Sequence, residues 1–303
     1  MTAREVPRVS ARQALRQHLS SGELLLVPGA YDALSARIIE EAGFGAVYVT
    51  GAGFANAAFG LPDIGLVSST ELITHAGRVT AAVSVPVIVD ADTGYGGVLQ
   101  VQRTVAELER AGAAAIQLED QADPKRCGHF DGQRLIPAQE MVQKIRVAAA
   151  TRSDSALVLV ARTDARGAEG FDAAVARARA YVAAGADVIF VEAPRSADEL
   201  RALPRLIGAP LLANMVEGGK TPVQGAAQLR AAGYAIALYA NTALRAAIAA
   251  VGQAMATLRA DGGSDALAGL IAPWDERQRL VRLAGYQAIE QEFTADRAKG
   301  DPA

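Results

Sequence analysis

Asp90 and Asp92 place two carboxylates at the end of an apolar run, in the segment Asp-Ala-Asp-Thr-Gly-Tyr-Gly. Hard oxygen ligands of this kind suit Mg2+, which keeps several waters and prefers one or two carboxylates plus substrate oxygens. Glu119 and Asp63 are further acids that could orient those waters. The alternative is that these acids cap helices or pair with arginines. Together they predict a Mg2+ site, which Mn2+ could also occupy.

Arg162 gives a second chemical signal, in the segment Val-Ala-Arg-Thr-Asp. Its planar guanidinium can hold a carboxylate by two hydrogen bonds. A salt bridge to Asp164 or Glu192 is the structural alternative, and both roles are compatible if one applies before a substrate arrives and the other afterwards. Glu192 could therefore contact a substrate or only position Arg162.

The single cysteine, Cys127, lies in the segment Asp-Pro-Lys-Arg-Cys-Gly-His-Phe. A lone cysteine is usually a small buried hydrophobic residue. Here Lys125, Arg126 and His129 surround it in sequence, and cationic neighbours lower the pKa of a thiol. We therefore predict that Cys127 is a catalytic group in a loop above a pocket, with His129 beside it.

Short runs rich in leucine and β-branched residues alternate with longer Ala-rich amphipathic stretches. This alternation is typical of βαβ units that build a parallel sheet. Eight such runs favour a closed (β/α)8 TIM barrel, with an open doubly wound sheet as the alternative. The carboxyl ends of barrel strands converge on one pocket, so polar residues there carry the functional signal. The predicted strands are 25–28, 46–50, 87–90, 115–119, 157–161, 188–192, 211–214 and 236–239.

Helical periodicity is clear at 99–110 and 171–183, and it continues beyond the last predicted strand at 244–259 and 276–293. This is more helix than a closed barrel requires. The surplus could cap the barrel bottom or dock on a neighbouring subunit. We predict one domain over residues 1–303, with a helical C-terminal extension from about 243. The first twenty residues resemble a frayed or packing extension.

Composition excludes several classes of protein. The 30 basic residues are dispersed among 33 acidic ones, which leaves no positive stripe for nucleic acid. One cysteine cannot form an intrachain disulfide, and the charged N-terminal stretch does not resemble a signal peptide. We find no apolar run long enough to span a bilayer. A cytoplasmic protein without a membrane partner is therefore expected.

Ordered motifs from about Val27 to Arg259 resemble the isocitrate lyase and phosphoenolpyruvate mutase superfamily. The resemblance is carried by Tyr-Val-Thr-Gly-Ala-Gly from Tyr48, Gly-Leu-Pro-Asp from Gly60, the Asp90 segment, Glu-Asp-Gln from Glu119, Lys-Arg-Cys-Gly-His from Lys125, Ala-Arg-Thr-Asp from Ala161 and Asn-Met-Val-Glu-Gly-Gly-Lys-Thr-Pro from Asn214.

The resemblance implies a Mg2+ ion held by Asp90 and Asp92, partly through water, with Asp63 and Glu119 in support. It also implies that a pyruvoyl-like carboxylate is gripped by Thr50, Gly51, Ala52 and Arg162. The other predicted substrate contacts are Tyr48, Asp90, Gly128 and Asn214, and the predicted catalytic residues are Cys127, Arg162, His129 and Glu192.

Members with this cysteine loop are mostly carbon–carbon lyases, whereas the phosphonate-forming mutases of the best-known branch lack the cysteine. The resemblance thus implies cleavage of a 2-hydroxy dicarboxylate or tricarboxylate to pyruvate or glyoxylate and a carboxylic acid, with Cys127 protonating the carbanion. Methylisocitrate lyases usually have arginine where this chain has Phe130. The run from Asn214 is closer to dimethylmalate lyase, the petal-death lyase and carboxyphosphonoenolpyruvate phosphonomutase. A smaller 2-alkylmalate is therefore expected.

One departure concerns the end of the last predicted strand, where the family commonly has Pro-Leu-Ser or Pro-Leu-Thr. This chain has Ala240, Asn241 and Thr242. The departure leaves the chemical group at the substrate's distal end undetermined. The resemblance also implies homodimers that exchange a C-terminal helix, often paired into tetramers. The remaining alternatives are a phosphonomutase, an oxaloacetate hydrolase or decarboxylase, and a non-catalytic ligand-binding barrel.

Overall fold

The computed structural model describes residues 9–126, 128 and 132–295. Within them, eight parallel strands form a closed barrel in chain order. The pairing of the first strand with the last closes the ring, which confirms the predicted barrel and excludes an open sheet. All eight predicted runs fall on strands. Their bounds are β1 Leu25–Ala30, β2 Val47–Val49, β3 Val87–Asp90, β4 Ala115–Glu119, β5 Val158–Thr163, β6 Val188–Val191, β7 Leu211–Asn214 and β8 Ile236–Tyr239.

Helices follow the strands, as the Ala-rich stretches predict. Their bounds are α1 Ala11–Ser21, α2 Ala33–Glu41, α3 Gly51–Phe59, α4 Ser69–Ala82, α5 Val98–Arg110, α6 Ala138–Thr151, α7 Ala165–Ala168, α8 Phe171–Ala184, α9 Ala197–Ile207, α10 Ala226–Ala232, α11 Thr242–Asp261, α12 Trp274–Leu280 and α13 Leu283–Ala295. The single helix predicted at 276–293 is wrong. Arg282 adopts a left-handed φ of 59°, which separates α12 from α13 with little change in apolar spacing.

The barrel has two apolar layers. One lies between the strands and the surrounding helices, and it includes Val89, Leu108 and Ile145. The other fills the barrel interior with side chains such as Val27 and Ile88. Because both faces of each strand are buried, the strands are apolar runs rather than alternating ones.

Helix α1 belongs to the interior layer, because Leu15 is 1% exposed and packs with the barrel's inner side chains. Arg12 donates to the carbonyl of Ala113, just before β4, and Arg16 donates to that of Leu157, just before β5. Helix α1 therefore closes the bottom of the barrel, opposite the carboxyl ends of the strands.

The chain divides into two compact units, one ending at Leu244 and one beginning at Arg245. The second unit exposes large apolar side chains along its helices, among them Ile248, Val251, Tyr286 and Phe293. No helix in the described ranges combines the length and apolar character that crossing a membrane would require.

Candidate active site

A pocket opens at the carboxyl ends of the strands. This is the end at which barrel enzymes carry their active sites. Nearly all of the polar residues predicted from strand ends line it. The lining is Tyr48, Thr50, Ala52, Asp63, Asp90, Glu119, Lys125, Arg126, Gly128, Arg162, Phe190, Glu192, Asn214, Val216, Leu238, Ala240 and Asn241.

Three carboxylates converge beside this pocket. Asp90 ends β3 and Glu119 ends β4, and one oxygen of each lies within 4.8 Å of an oxygen of Asp92. Asp92 adopts a left-handed φ of 48°, which is uncommon for a residue with a side chain. Its backbone N–H donates to Asp90 Oδ1 at 3.2 Å, and its carbonyl accepts from the N–H of Glu119 at 2.8 Å. These contacts keep the three acids together.

The cluster fits a hard divalent cation. Its donors are all carboxylate oxygens, the ligand type that Mg2+ prefers. Glu119 Oε1 is buried and has no hydrogen-bond partner among the described residues. Burial raises the pKa values of Asp92 and Glu119 above their ordinary range, so nearby positive charge is needed to keep both ionised.

Lys125 supplies part of that charge. Its ammonium, on a residue only 5% exposed, pairs with Asp63 and lies 2.8 Å from Asp92 Oδ1. Burial alone lowers the pKa of Lys125, but the carboxylates, led by Asp92 and Asp63, outweigh burial and raise it. Asp63 is not one of the three clustered acids, but it is linked to them because Lys125 forms salt bridges with both Asp63 and Asp92. The sequence predicted that Lys125 acts on the cysteine thiol, and its role towards the carboxylates was missed.

Arg162 lies on the neighbouring strand, where β5 pairs with β4 in a register that sets it beside Glu119. Asp164 accepts from its Nε and Nη2, both at 2.9 Å. Glu119 and Glu192 each lie 3.4 Å from the guanidinium. Burial alone lowers the pKa of Arg162, but these carboxylates, Asp164 first, raise it. The predicted salt bridges to Asp164 and Glu192 are therefore both present.

Helix α3 begins at the edge of the same pocket. Thr50 is its N-cap, and its hydroxyl accepts from the N–H of Gly53 at 3.2 Å. A helix N-terminus presents backbone N–H groups and a partial positive charge, which favour an anion. A Cβ at Gly51 would lie 3.4 Å from Asp92 Oδ1, so the missing side chain leaves room beside the acids.

Two further side chains complete the wall. Tyr48 is 2% exposed, and burial, followed by the charge of Asp90, raises its pKa, so its hydroxyl keeps its proton. Asn214 donates to Glu192 Oε2 at 3.2 Å, while its own Oδ1 is buried without a partner among the described residues.

The predicted catalytic residues Cys127 and His129 lie outside the described residues. Gly128, between them, is described and approaches Arg162 closely, since a Cβ there would overlap Arg162 Nη2 and lie 2.6 Å from Glu192 Cγ. Gln133 donates to the carbonyl of Gly128 at 2.9 Å. This part of the loop is therefore packed directly on the Arg162 cluster.

Two contacts of the pocket residues Asp90 and Arg162 were not predicted from the strand ends. Gln117 donates to Asp90 Oδ1 at 3.1 Å, and Phe190 lies under Arg162, with its ring centre 5.1 Å from the guanidinium carbon. Gln117 precedes Glu119 by two residues, so both point to the same face of β4. A polar residue at alternate positions of an apolar strand was the available signal.

Comparison with known proteins gives consistent relatives. A family model described as phosphoenolpyruvate phosphomutase matches residues 15–259. The 2,3-dimethylmalate lyase of Eubacterium barkeri is 40% identical over 283 residues, which cover 93% of this chain and 98% of that protein. The 2-methylisocitrate lyase of Aeropyrum pernix is 49% identical over 236 residues, which cover 78% and 76%.

Solved structures agree with these relatives. A crystal structure of 2,3-dimethylmalate lyase has a TM-score of 0.88 at 38% identity, covering 94% of this chain and 96% of that one. Oxaloacetate acetylhydrolase with 3,3-difluorooxalacetate has a TM-score of 0.87 at 36% identity, covering 97% and 99%. Phosphonopyruvate hydrolase with oxalate and Mg2+ has a TM-score of 0.85 at 33% identity, covering 94% and 99%.

Proposed function

The chain belongs to the phosphoenolpyruvate mutase/isocitrate lyase superfamily, and on that basis we propose that it is a Mg2+-dependent carbon–carbon lyase. Its substrate is a 2-hydroxy acid of the 2-alkylmalate or 2-methylisocitrate type, which it cleaves to pyruvate and a carboxylic acid. The observation that carries the proposal is the buried Arg162, which lies beside a cluster of three carboxylates, 3.4 Å from Glu119, at one pocket.

The substrate's pyruvoyl end binds between Arg162 and the N-terminus of α3. The guanidinium supplies paired donors for the carboxylate, and the N–H groups of Gly51 and Ala52 supply the partial charge of a helix terminus. Asp90 and Asp92 would hold the Mg2+, with Glu119 and Asp63 in support. When bound, this ion would supply positive charge that stabilises the oxygen that becomes negative during cleavage.

The bond changes follow from that placement. The C2 hydroxyl loses its proton to a pocket carboxylate, for which Glu192 is our candidate. The C2–C3 bond then breaks as the C2 carbonyl of pyruvate forms, and its electron pair moves to C3. Cys127 gives its thiol proton to C3 and releases the second acid. Its chain neighbours Arg126 and Gly128 both line the pocket, which supports this role.

We propose a 2-alkylmalate rather than a tricarboxylate as the preferred substrate. Phe130 stands where methylisocitrate lyases usually have an arginine, so one cationic contact for a third carboxylate is missing. Ala240 and Asn241 line the pocket wall after β8. A small side chain and an amide there suit a substituent that carries no further charge.

The test is pyruvate release, followed by a coupled lactate dehydrogenase assay, with and without Mg2+. The panel is 2,3-dimethylmalate, citramalate, 2-methylisocitrate, isocitrate and oxaloacetate. We expect Mg2+-dependent pyruvate from one hydroxy acid and its loss in Cys127→Ser. Absence of pyruvate from every hydroxy acid would overturn the proposal.

A second candidate function uses the same pocket on oxaloacetate or a phosphonate. The similarity to oxaloacetate acetylhydrolase favours it, since that structure covers 97% of this chain. Oxaloacetate hydrolysis yields oxalate and acetate, whereas decarboxylation yields CO2 and pyruvate. Measuring oxalate, CO2 and inorganic phosphate beside pyruvate separates these reactions from the lyase.

We further propose that the chain forms homotetramers in the cytoplasm, with the C-terminal helices as an extension of the barrel domain. The exposed apolar side chains of the second unit, such as Tyr286 and Phe293, support an interface between copies. Sedimentation equilibrium tests the assembly, and a monomer at micromolar concentration would contradict it.

A further inference from the structure

A buried carboxylate that the proposed mechanism does not use lies directly behind the pocket. Asp120 is fully buried and accepts four hydrogen bonds. The donors are Thr163 Oγ1 at 2.7 Å, the backbone N–H of Asp164 at 3.0 Å, the Tyr181 hydroxyl at 2.7 Å and Arg177 Nη1 at 3.3 Å. Because a buried ion pair is often no more stabilising than well-packed apolar side chains, this arrangement points to a role beyond stability.

Asp164 connects this carboxylate to the pocket. Its backbone N–H donates to Asp120 Oδ1. Its own carboxylate accepts hydrogen bonds from Nε and Nη2 of Arg162, at 2.9 Å each. Displacement of Asp120 would therefore move the backbone of Asp164, and with it the partner that orients the guanidinium. Because Asp164 holds the Nε–Nη2 edge, the Nη1 side of Arg162 is the side that a ligand can approach.

The other end of this network is anchored in the outer helix layer. Arg177, on α8, donates to both oxygens of Glu169 at 2.8 and 2.6 Å and to the carbonyl of Ile136 at 3.0 Å. Tyr181 lies one turn further along the same helix. Burial, followed by the charge of Asp120, raises the pKa of Tyr181, so its hydroxyl stays protonated and remains a donor.

We propose that Asp120, Tyr181 and Arg177 are positioning residues, which hold Asp164 so that Arg162 presents its open edge to the substrate carboxylate. None of the three lines the pocket. They act on the reaction only through the Asp164–Arg162 pair. The inference rests on the proposed function in one respect, that Arg162 binds a carboxylate.

Tyr181→Phe tests the inference with the loss of a single hydroxyl. The matched control is Tyr234→Phe, because Tyr234 is also buried, at 3% exposure, and its hydroxyl donates at 3.1 Å to the carbonyl of Leu200. Kinetics on the accepted hydroxy acid and calorimetric titration with oxalate in the presence of Mg2+ are measured for both. We expect Tyr181→Phe to weaken oxalate binding and kcat/KM about tenfold, the effect of one hydrogen bond to a charged group. Tyr234→Phe should change neither.

A double-mutant cycle with Arg162→Lys separates positioning from general loss of structure. Lysine lacks the planar fork that Asp164 holds, so the Tyr181→Phe effect on oxalate binding should disappear in that background. Thr163→Val, which removes another donor to Asp120, should repeat the result if Tyr181→Phe folds poorly. Additive effects, or equal behaviour of the two tyrosine variants, would overturn the inference. If the wild-type chain with Mg2+ releases no pyruvate from any hydroxy acid and binds no oxalate, the proposed function fails and the inference falls with it.

Discussion

Charge is unevenly distributed among the side chains around the pocket. Three cations line it, Arg162, Lys125 and Arg126, and they are outnumbered by the carboxylates of Asp63, Asp90, Asp92, Glu119, Asp164 and Glu192. A dicarboxylate substrate would add further negative charge. Coulomb repulsion at these separations amounts to several kcal/mol in a partly buried site. A divalent cation among the acids would offset it, which is the electrostatic reason to expect Mg2+.

Removing one acid should therefore remove the response to Mg2+. We expect Mg2+ at about 100 times its Kd to stabilise the wild-type chain by roughly 3 kcal/mol, seen as a higher Tm. Asp92→Asn should abolish most of this shift. The control is Asp198→Asn, an exposed acid whose salt bridge to Arg201 lies within one surface helix. Equal Mg2+ shifts in the two variants, measured by scanning calorimetry, would exclude Asp92 as a ligand.

The close packing of Gly128 leads to a separate prediction about the loop that carries the cysteine. A Cβ there would overlap Arg162 Nη2 and lie 2.9 Å from Asp164 Oδ1. Gly128→Ala should therefore keep the loop from packing on the Arg162 cluster. Because displacement of about 1 Å can cost on the order of 100-fold in rate, we expect kcat to fall by that order with Tm unchanged.

The control for this loop prediction is Gly167→Ala, since a Cβ at Gly167 would meet only Gln133 Oε1, at 4.0 Å. Steady-state kinetics on the preferred hydroxy acid compare the two variants. Wild-type kcat in Gly128→Ala would contradict the close packing of this loop.

Helices α3 and α4 pack through a buried histidine. The ring of His75 stacks on Phe54, with ring centres 3.9 Å apart and planes inclined by 16°. Burial lowers the pKa of His75, the charge of Asp32 partly opposes this and that of Arg78 adds to it, and the net value is about 4. His75 Nε2 has no hydrogen-bond partner among the described residues. The contact therefore requires the neutral imidazole, and it supports the helix whose N-terminus faces the pocket.

Stability should consequently depend on pH through this contact. Between the folded pKa of about 4 and the ordinary value of 6.5, the unfolded chain binds the proton more readily than the folded chain. The contribution of His75 is thus fully present above pH 6.5 and is lost as the pH falls towards 4. The total loss is at most about 3 kcal/mol.

Urea unfolding at about pH 5 and about pH 8 measures this dependence, and His75→Phe should flatten the part that is due to the histidine. The stacking surface is kept in that variant, so its stability at about pH 8 should change little. The same slope in wild type and variant would show that His75 titrates without affecting the fold.

The elements differ in how far the sequence predicts them. Parallel strands buried on both faces are apolar runs, and such runs can be recognised in the sequence alone. Helix α3 was missed because it begins directly after β2, with glycines at positions that usually end a helix. The break between α12 and α13 was missed because one left-handed residue interrupts the helix while the apolar spacing continues.

The site shows the same division between regular and irregular structure. Asp90, Glu119 and Arg162 could be brought together from the sequence because the barrel register alone sets neighbouring strand ends side by side. The position of the Lys125 side chain could not be predicted from the sequence, because it depends on the path of the loop after β4. The Asp120 network was equally hidden, because it joins a strand end to the buried side of an outer helix.

The two ends of the barrel carry different groups. The acids and Arg162 lie at the carboxyl ends of the strands, and α1 lies at the other end. Leu15 of α1 is 1% exposed and packs against the inner side chains, while Arg16 pairs with Asp187 at 2.7 Å. Residues at the bottom of a barrel are expected to serve stability, and residues at the top are expected to serve catalysis.

This division predicts that Leu15→Ala lowers stability without changing the chemistry. Loss of a fully buried leucine should lower the free energy of unfolding by about 2–5 kcal/mol through lost burial and the cavity left behind. Measured well below the Tm of the variant, kcat and KM should equal those of the wild type. The control is Leu99→Ala, because Leu99 is 73% exposed on α5. A fall in kcat for a fully folded Leu15→Ala would mean that packing at the bottom reaches the pocket through the barrel interior, and the two ends would then not be independent.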